Sequence, residues 1–397
     1  MIMARYLFVA VLLSVCPSVF AGRDAKLPPQ PREWVAPSTD MTPPSAEARF
    51  GVKWVQEKNL PVAVAGHSAV AVGRDIVVIG GVSGREHLGM RDVYVSTAGK
   101  SGLGSWKKGP AFPAPVAFCS AVAVGRRVYV MGGVSREGMH HIYDTVWSAE
   151  VKDGSLGKWR EERKLPKPIM YQASMVLDGF IYSVGGFDGQ AYDTRVIYSR
   201  VAPDGKLGEW KETKAPYPYP IGRTVVAPAG GDLLVCGGLF WDSQGEHISS
   251  QILRGTRSAD GDITGWASEE GIKMASRSMA FSISEHAGAF DGNFIYSAGG
   301  RDPAALGVGT VQAAWISPAG KLTRWQFGPE LPAWGMKGAP QSARLYQSAA
   351  VIAGDRLYVI GGFLSIREPT KNTWGIDLKP YKEPDWVKEY KARREKK

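Results

Sequence analysis

Short runs of alternating or wholly apolar residues, each closing on Gly-Gly, recur along the chain. The six copies are DIVVIGG, RVYVMGG, FIYSVGG, LLVCGG, FIYSAGG and RLYVIGG, ending at Gly81, Gly133, Gly186, Gly238, Gly300 and Gly362. They are spaced by about fifty to sixty residues, a period typical of folds in which each repeat is one supersecondary unit. The pattern therefore indicates six copies of one structural unit.

Each unit predicts four β-strands. A β-rich run and a turn, such as HSAVAVGRD, precede each Gly-Gly, and a third run such as DVYVSTA follows it. The phrase KDGSLGKW (Lys152–Trp159) then returns as PDGKLGEW (Pro203–Trp210), with related phrases in the other early repeats. Its Asp-Gly pair supplies the positive φ of a tight hairpin, so we predict a turn into a fourth strand that begins at the Trp. The large Trp ring can fill the wedge between neighbouring sheets.

Four strands in each of six repeats predict an all-β fold, a six-bladed β-propeller spanning residues 50–378. The sixth repeat lacks a fourth strand, because its third run leads directly into the end of the chain. We predict the missing strand at the front, in VKWVQEKNLP around Trp54. This N-terminal strand would complete the last blade, close the ring and remove an exposed sheet edge.

The recurring features resemble Kelch repeats from about Val52 to Leu378. They are the Gly-Gly after an apolar strand, an aromatic residue in the third strand and a later Trp, with pieces such as GHSAVAVGRDIVVIGG and YSVGGFDG. The resemblance implies the fold more firmly than a function, since such propellers include binding modules, sugar isomerases and oxidases. Exported bacterial Kelch propellers include the sialic acid mutarotases, and this chain is similar to them in its leader, length, blade number and repeat style.

The two ends of the chain differ in composition from the repeats. Residues 1–21 resemble a secretory signal peptide, with Arg5 before an apolar run that is shorter than the ~20 residues of a membrane anchor. Residues 22–49 are rich in proline and predict a linker. Residues 379–397 form a basic tail, with eight Lys or Arg against four Asp or Glu. We expect an exported protein, periplasmic or secreted, with no nucleic-acid partner and no transmembrane segment in the mature chain.

Cysteine usage bears on redox and metal chemistry. Removal of the leader would leave Cys119 and Cys236, which lie in apolar runs of different repeats, so we expect two buried thiols and no disulfide framework. The sequence has no CxxC pair and no HExxH stretch, and we predict neither a metal site nor a cofactor. A copper oxidase of the galactose oxidase type is disfavoured, because no Tyr and His group is placed around either cysteine.

Candidate site residues follow from the repeat. First strands should line the central channel, and the loops after Gly-Gly should crowd one of its mouths. Counting back fourteen residues from the first Gly of each pair gives Gly66, Phe118, Tyr171, Arg223, Glu285 and Gln347. The next positions, which strand alternation would turn the other way, are His67, Cys119, Gln172, Thr224, His286 and Ser348. We favour the first set, because resemblance to the Kelch family puts ligand-reaching side chains there and gives the second-set histidines a structural role.

The loops after Gly-Gly add further ligand-binding candidates, namely Arg85, Asp188, Trp241 and Arg301. An arginine can hold a carboxylate in forked geometry, and an aromatic ring can stack on a sugar face. Several such groups at one mouth are more suggestive than any one of them.

Two functions of different classes remain open. The first is a monomeric, non-catalytic module that binds a carbohydrate or a protein at its loop face, in keeping with the absence of a catalytic motif. The second is a sugar anomer isomerase similar to the N-acetylneuraminate (sialic acid) mutarotases, with Glu285 as base and Arg223 as carboxylate anchor. Mutarotation requires only a general acid and base near the anomeric centre, together with a cation for the substrate carboxylate. However, the fourth repeat carries Glu246 farther out on its loop, so the family's catalytic pair has no matching motif here.

Overall fold

The structure is a computed structural model. It describes residues 44–84, 86–136, 141–242, 245–249, 251–269, 284–301, 307–323, 325–332, 345–364, 368–385 and 387–388, with the side chains of residues 241 and 242 excluded. The predicted signal peptide and most of the predicted linker and basic tail lie outside these ranges.

Six antiparallel sheets, which we call blades 1 to 6 in chain order, form the propeller. The inner strands are Ser68–Val72, Ser120–Val124, Ala173–Leu177, Val225–Ala229, Ala287–Phe290 and Ala349–Ala353. The second strands are Asp75–Ile79, Arg127–Met131, Phe180–Val184, Asp232–Cys236, Phe294–Ala298 and Arg356–Ile360. The third strands are Val93–Gly99, Val146–Lys152, Val196–Arg200, Ile252–Arg257, Val311–Trp315 and Thr373–Asp377. The all-β, six-bladed prediction is confirmed.

Short outer strands complete the blades. They are Lys107–Lys108, Arg160–Glu161, Lys211–Glu212, Ile263–Ser268 and Gln326–Phe327 in blades 1 to 5, and Val55–Gln56 in blade 6. The blade 6 strand comes from the N-terminal end, where Val55 pairs with Gly375 and Gln56 pairs with Trp374. The predicted closure of the ring by an N-terminal strand is therefore confirmed.

Smaller elements decorate this frame. Two-stranded pieces at the loop face are Val82–Ser83 with Leu88–Gly89, Leu239–Asp242 with Gly245–Ile248, and Leu345–Tyr346 with Phe363–Leu364. Gly102–Leu103 and Ser155–Leu156 pair with the ends of the third strands of blades 1 and 2. A single 3-10 turn spans Glu47–Arg49.

The Trp residues that begin the outer strands join neighbouring blades, as their position in the repeat predicts. The indole N–H of Trp159 in blade 2 donates to the carbonyl of Pro110, which follows the outer strand of blade 1. The same bond recurs from Trp106 to Lys58, Trp210 to Arg163, Trp266 to Ala215 and Trp54 to Pro329. Trp54 makes this contact for blade 6, which shows that the N-terminal strand replaces a missing C-terminal one in detail.

The Gly-Gly pairs allow the backbones of adjacent blades to meet. Gly80 has a φ of +60°, and a Cβ there would lie 2.2 Å from the carbonyl oxygen of Val116 in blade 2. The next residue, Gly81, donates its N–H to that same carbonyl at 2.8 Å. Any side chain at Gly80 would force the two blades apart, and this accounts for the motif that marks every repeat.

Both ends of the described chain pack onto the propeller. Ala46, in the predicted linker, and Phe50, the first residue of the predicted propeller, are buried against blades 5 and 6, and Arg49 forms a 2.7 Å ion pair with Asp291. At the other end, Val387 is fully buried in the same cluster. Within the described ranges, no helical segment has the length and apolar character needed to cross a membrane.

Candidate functional site

A closed ring of six backbone hydrogen bonds surrounds the central channel. In each blade, the residue that precedes the inner strand by two positions accepts from the next blade and donates to the previous one, at N to O distances of 2.7 to 3.2 Å. The ring residues are Gly66, Phe118, Tyr171, Arg223, Glu285 and Gln347. All six have left-handed backbone, with φ between 52° and 60°. This conformation costs a residue with a Cβ about 1 kcal/mol, which the closed set of hydrogen bonds offsets.

The ring side chains form a continuous series around the channel. Glu285 pairs closely with Arg223, and its other oxygen, Oε2, accepts a 3.1 Å hydrogen bond from the Gln347 amide. The Arg223 guanidinium lies 3.9 Å from the centroid of the Tyr171 ring. That ring in turn packs 4.7 Å from the ring of Phe118. One half of the ring, Arg223, Glu285 and Gln347, is thus charged and polar. The other half carries glycine and two aromatic rings.

A second layer lies over the charged half. The hairpin of Leu239–Asp242 and Gly245–Ile248 pairs Trp241 with Glu246 across its strands. It places the Glu246 carboxylate 2.7 Å from the Nη2 atom of Arg301. The Nη1 atom of Arg301 lies 3.8 Å from Oε1 of Glu285. Two arginines and two glutamates therefore alternate from the ring to the rim of the mouth.

Tyr192 completes the charged group and was not predicted from the sequence. Its ring packs on the backbone of Gly222, where a Cβ would lie 2.5 Å from its Cε1 atom. Its hydroxyl is hydrogen-bonded to Arg223, and Arg301 and Glu246 are close enough to act on it electrostatically. Burial raises the pKa of Tyr192 above 10.0, although the two arginines oppose this, so the phenol keeps its proton at neutral pH.

The alternative residue set lies within the sheets. The Gln172 amide donates to the carbonyl of Met131 in the preceding blade at 2.8 Å, and Thr224 donates to the carbonyl of Cys236 at 2.9 Å. Burial lowers the pKa of His67 and of His286 to about 4 in each case. His67 and Gln172 are buried, and Gln172 joins the inner ends of blades 2 and 3.

The remaining predicted residues lie apart from the charged group or outside the description. Asp188 caps its own turn, accepting 2.9 Å hydrogen bonds from the N–H groups of Gln190 and Ala191, and pairs with Lys167 at 3.0 Å. Burial would raise the pKa of Asp188, but these N–H groups and Lys167 bring it below its usual value. Arg85 and the side chain of Trp241 lie outside the described residues.

The described ranges of the chain contain both predicted thiols and potential metal ligands. Cys119 and Cys236 are free thiols, and burial raises the pKa of Cys119 to about 11. Among the described residues, no three His, Cys, Asp or Glu side chains converge as metal ligands. What the mouth offers is a buried carboxylate, two guanidinium groups, an amide and the phenol of Tyr192. Such groups can hold an anion by forked hydrogen bonds and exchange protons with a hydroxyl group.

The chain is similar in sequence to known Kelch repeat proteins. No family model matches the chain. A Kelch repeat-containing protein of Arabidopsis thaliana is 31% identical over 143 residues, which cover 34% of this chain and 32% of that protein. The Kelch repeat protein M-T8 of Myxoma virus (strain Lausanne) is 25% identical over 195 residues, 48% of this chain and 34% of that protein. The chain thus spans about a third of the length of these relatives.

A solved structure, that of YjhT, extends the similarity to the whole propeller. It matches with a TM-score of 0.59 and 12% sequence identity, over 82% of this chain and 99% of that one. At this identity the match concerns the fold alone. Taken together, the six-bladed architecture and the similarity to Kelch proteins support a Kelch-type β-propeller fold for this chain.

Proposed function

We propose that this protein binds a carboxylated sugar, of which sialic acid is the leading candidate, at the channel mouth around Arg223 and Arg301. The observation that carries the proposal is the buried Glu285 carboxylate, held between both arginines and Gln347 at the ring. Glu285 fixes the positions of two guanidinium groups at the mouth, where they favour a ligand carboxylate by charge. Pre-positioned donors reduce the ordering cost of binding.

The two halves of the ring suit the two parts of such a ligand. The arginines favour the carboxylate by charge and by forked geometry. The half-buried ring of Tyr171, which packs 4.7 Å from the ring of Phe118, offers apolar surface to the sugar skeleton. We also propose that residues 1–21 direct export, so that the ligand is met outside the cytoplasm.

A second function, exchange of sugar anomers, is favoured by one further contact. Arg223 joins Glu285 to the Tyr192 hydroxyl, so a proton acceptor and a proton donor flank the proposed anchor. In mutarotation, the acceptor removes the anomeric hydroxyl proton while a donor protonates the ring oxygen, so the bond from the anomeric carbon to the ring oxygen breaks and the open-chain carbonyl forms. The freed hydroxyl then adds to either face of that carbonyl, and the two protons return to their original groups. Glu285 would be the acceptor and Tyr192 the donor. Similarity to the sialic acid mutarotases in repeat style points to the same chemistry.

Calorimetric titration with N-acetylneuraminate and with neutral N-acetylmannosamine tests the binding proposal. We expect the acid to bind and Arg223→Gln to weaken it at least tenfold, because a charge-assisted hydrogen bond contributes about 1.5 to 3 kcal/mol. Arg254→Gln is the matched control, since Arg254 also pairs with a buried glutamate, Glu269, away from the mouth. If Arg254→Gln weakened binding as much as Arg223→Gln, the mouth would not be the site.

Proton NMR of anomer exchange tests the second function on the same proteins. Acceleration over buffer that is lost in Glu285→Gln, with binding retained and Glu269→Gln active, would establish an isomerase. Binding without acceleration would leave a recognition module. Failure of both sugars to bind would refute the carboxylated-sugar proposal and direct the search to protein ligands.

A further inference from the structure

The two carboxylates on Arg301 differ in how firmly each is held. The Glu285 side chain is 2% exposed and belongs to a ring residue whose backbone is bonded on both sides. The Glu246 side chain is 33% exposed and extends from a two-stranded hairpin that stands above the mouth. Glu246 also makes the shorter contact to Arg301, at 2.7 Å against 3.8 Å for Glu285.

Release of Glu246 into water would cost little. An exposed ion pair contributes at most about 1 kcal/mol, since the freed charges are rehydrated. Release of Glu285 would leave a buried charge unpaired, which is several times more costly. Of the two carboxylates, only Glu246 can leave at a cost that a small ligand can offset.

The charge balance of the mouth favours exchange over addition. Arg223 and Arg301 are matched by Glu285 and Glu246, so this group of four carries no net charge. An anionic ligand added to it would meet both glutamates. A ligand carboxylate that replaces Glu246 on Arg301 keeps the guanidinium paired and moves the displaced glutamate toward solvent.

We propose that Glu246 is a built-in competitor that occupies the carboxylate position on Arg301 until a ligand displaces it. This inference rests on the proposed function and adds a determinant of affinity and specificity to it. The Arg301 fork is held ready by Glu246 in the empty protein. Neutral sugars, which offer no replacement charge, gain nothing by displacing it.

Titration of Glu246→Gln tests the inference with two probes, N-acetylneuraminate and its methyl ester. We expect the variant to bind the free acid more tightly, by up to about fivefold, which corresponds to the 1 kcal/mol upper value of an exposed pair. Binding of the ester should not change. Glu209→Gln is the control, because Glu209 forms an exposed ion pair with Arg163 at 3.4 Å, away from the mouth. Arg301→Gln in the Glu246→Gln background should abolish the gain.

Each outcome decides the inference. Tighter binding of the free acid by Glu246→Gln, with unchanged binding of the methyl ester, supports it. Equal or weaker binding of the acid by Glu246→Gln, with wild type binding normally, overturns it and leaves the proposed function standing. Tighter binding of acid and ester alike also overturns it, because the effect would then lie in access and not in charge. An absence of acid binding by wild type and variant overturns the proposed function together with the inference.

Discussion

Replacement of His67 by glutamine should make the propeller less sensitive to acid. His67 is 7% exposed and faces the backbone of Ile360, the residue before the Gly-Gly of blade 6. Blade 3 carries Gln172 at the equivalent position, where its amide donates to the carbonyl of Met131, the residue before the Gly-Gly of blade 2. His67→Gln therefore places at blade 1 the amide that the chain already uses at the equivalent position of blade 3, and it removes the titratable imidazole.

The magnitude follows from the pKa in the two states. Burial lowers the pKa of His67 from 6.5 to about 4. As the pH falls below 6.5 the unfolded chain takes up a proton while the native imidazole stays neutral, so native stability decreases down to about pH 4 and then levels off. At 1.36 kcal/mol for each pKa unit the complete loss is about 3 kcal/mol, of which about 2 kcal/mol is reached at pH 5.

Urea denaturation of both proteins at pH 7.5 and pH 5, followed by tryptophan fluorescence and by circular dichroism, measures this loss. Wild type should lose about 2 kcal/mol more than His67→Gln between the two pH values. Other titrating groups, including His286, are present in both proteins and cancel in the difference. The reciprocal change, Gln172→His, should add acid sensitivity in blade 3. Equal losses in wild type and His67→Gln would refute the assignment of a buried neutral imidazole.

Three further predictions concern the ring, its closure and its thiols. Gly66→Ala should lower the melting temperature, because its Cβ would lie 2.2 Å from Cε1 of Phe118 and its φ of +59° is unfavourable for alanine; a melting temperature equal to wild type would contradict the ring geometry. A chain lacking residues 1–56 should melt at lower temperature and aggregate in light-scattering assays, because the third strand of blade 6 loses its partner and becomes an exposed edge. Cys119 and Cys236, whose pKa values burial raises, should react slowly with Ellman's reagent in the native protein and rapidly in urea; fast native reaction would show that the blades around these thiols open.

The fold could be predicted because six copies of one pattern reinforce each other. Two motifs mark each blade, Gly-Gly after the second strand and Trp at the outer strand. Gly-Gly allows neighbouring backbones to meet and Trp packs between blades, and both needs recur in every repeat. The step of fourteen residues from Gly-Gly reached the ring in all six blades, because every inner hairpin has the same overall length even where the inner strand of blade 5 ends one residue earlier, at Phe290. The spacing found in the blades with a strong sequence pattern therefore locates the equivalent residues in the blades with a weaker one.

The charged layer above the ring was only partly predictable, because it is built from loops that differ in every repeat. Glu246 stands far from Gly-Gly in sequence, yet its hairpin brings it to Arg301 of the next blade. Tyr192 reaches Arg223 from the loop of blade 3. No period or spacing encodes contacts between loops of different blades, so sequence reasoning found the ring members and Arg301, noted Glu246 without its partner, and missed Tyr192. Asp188, chosen as a ligand-binding residue, accepts hydrogen bonds within its own turn, and its role in binding stays a prediction.

The closed ring of backbone hydrogen bonds separates the task of holding the mouth open from the task of recognition. Six positions share one conformation and one bonding pattern, yet they carry glycine, two aromatics, an arginine, a glutamate and a glutamine. The main chain maintains the shared geometry, and the side chain differs from position to position, except that a Cβ at Gly66 would meet the ring of Phe118. A combinatorial library confined to the five positions other than Gly66 would therefore sample many ligand chemistries on one scaffold, and gene duplication followed by drift at the same positions offers natural selection an identical route.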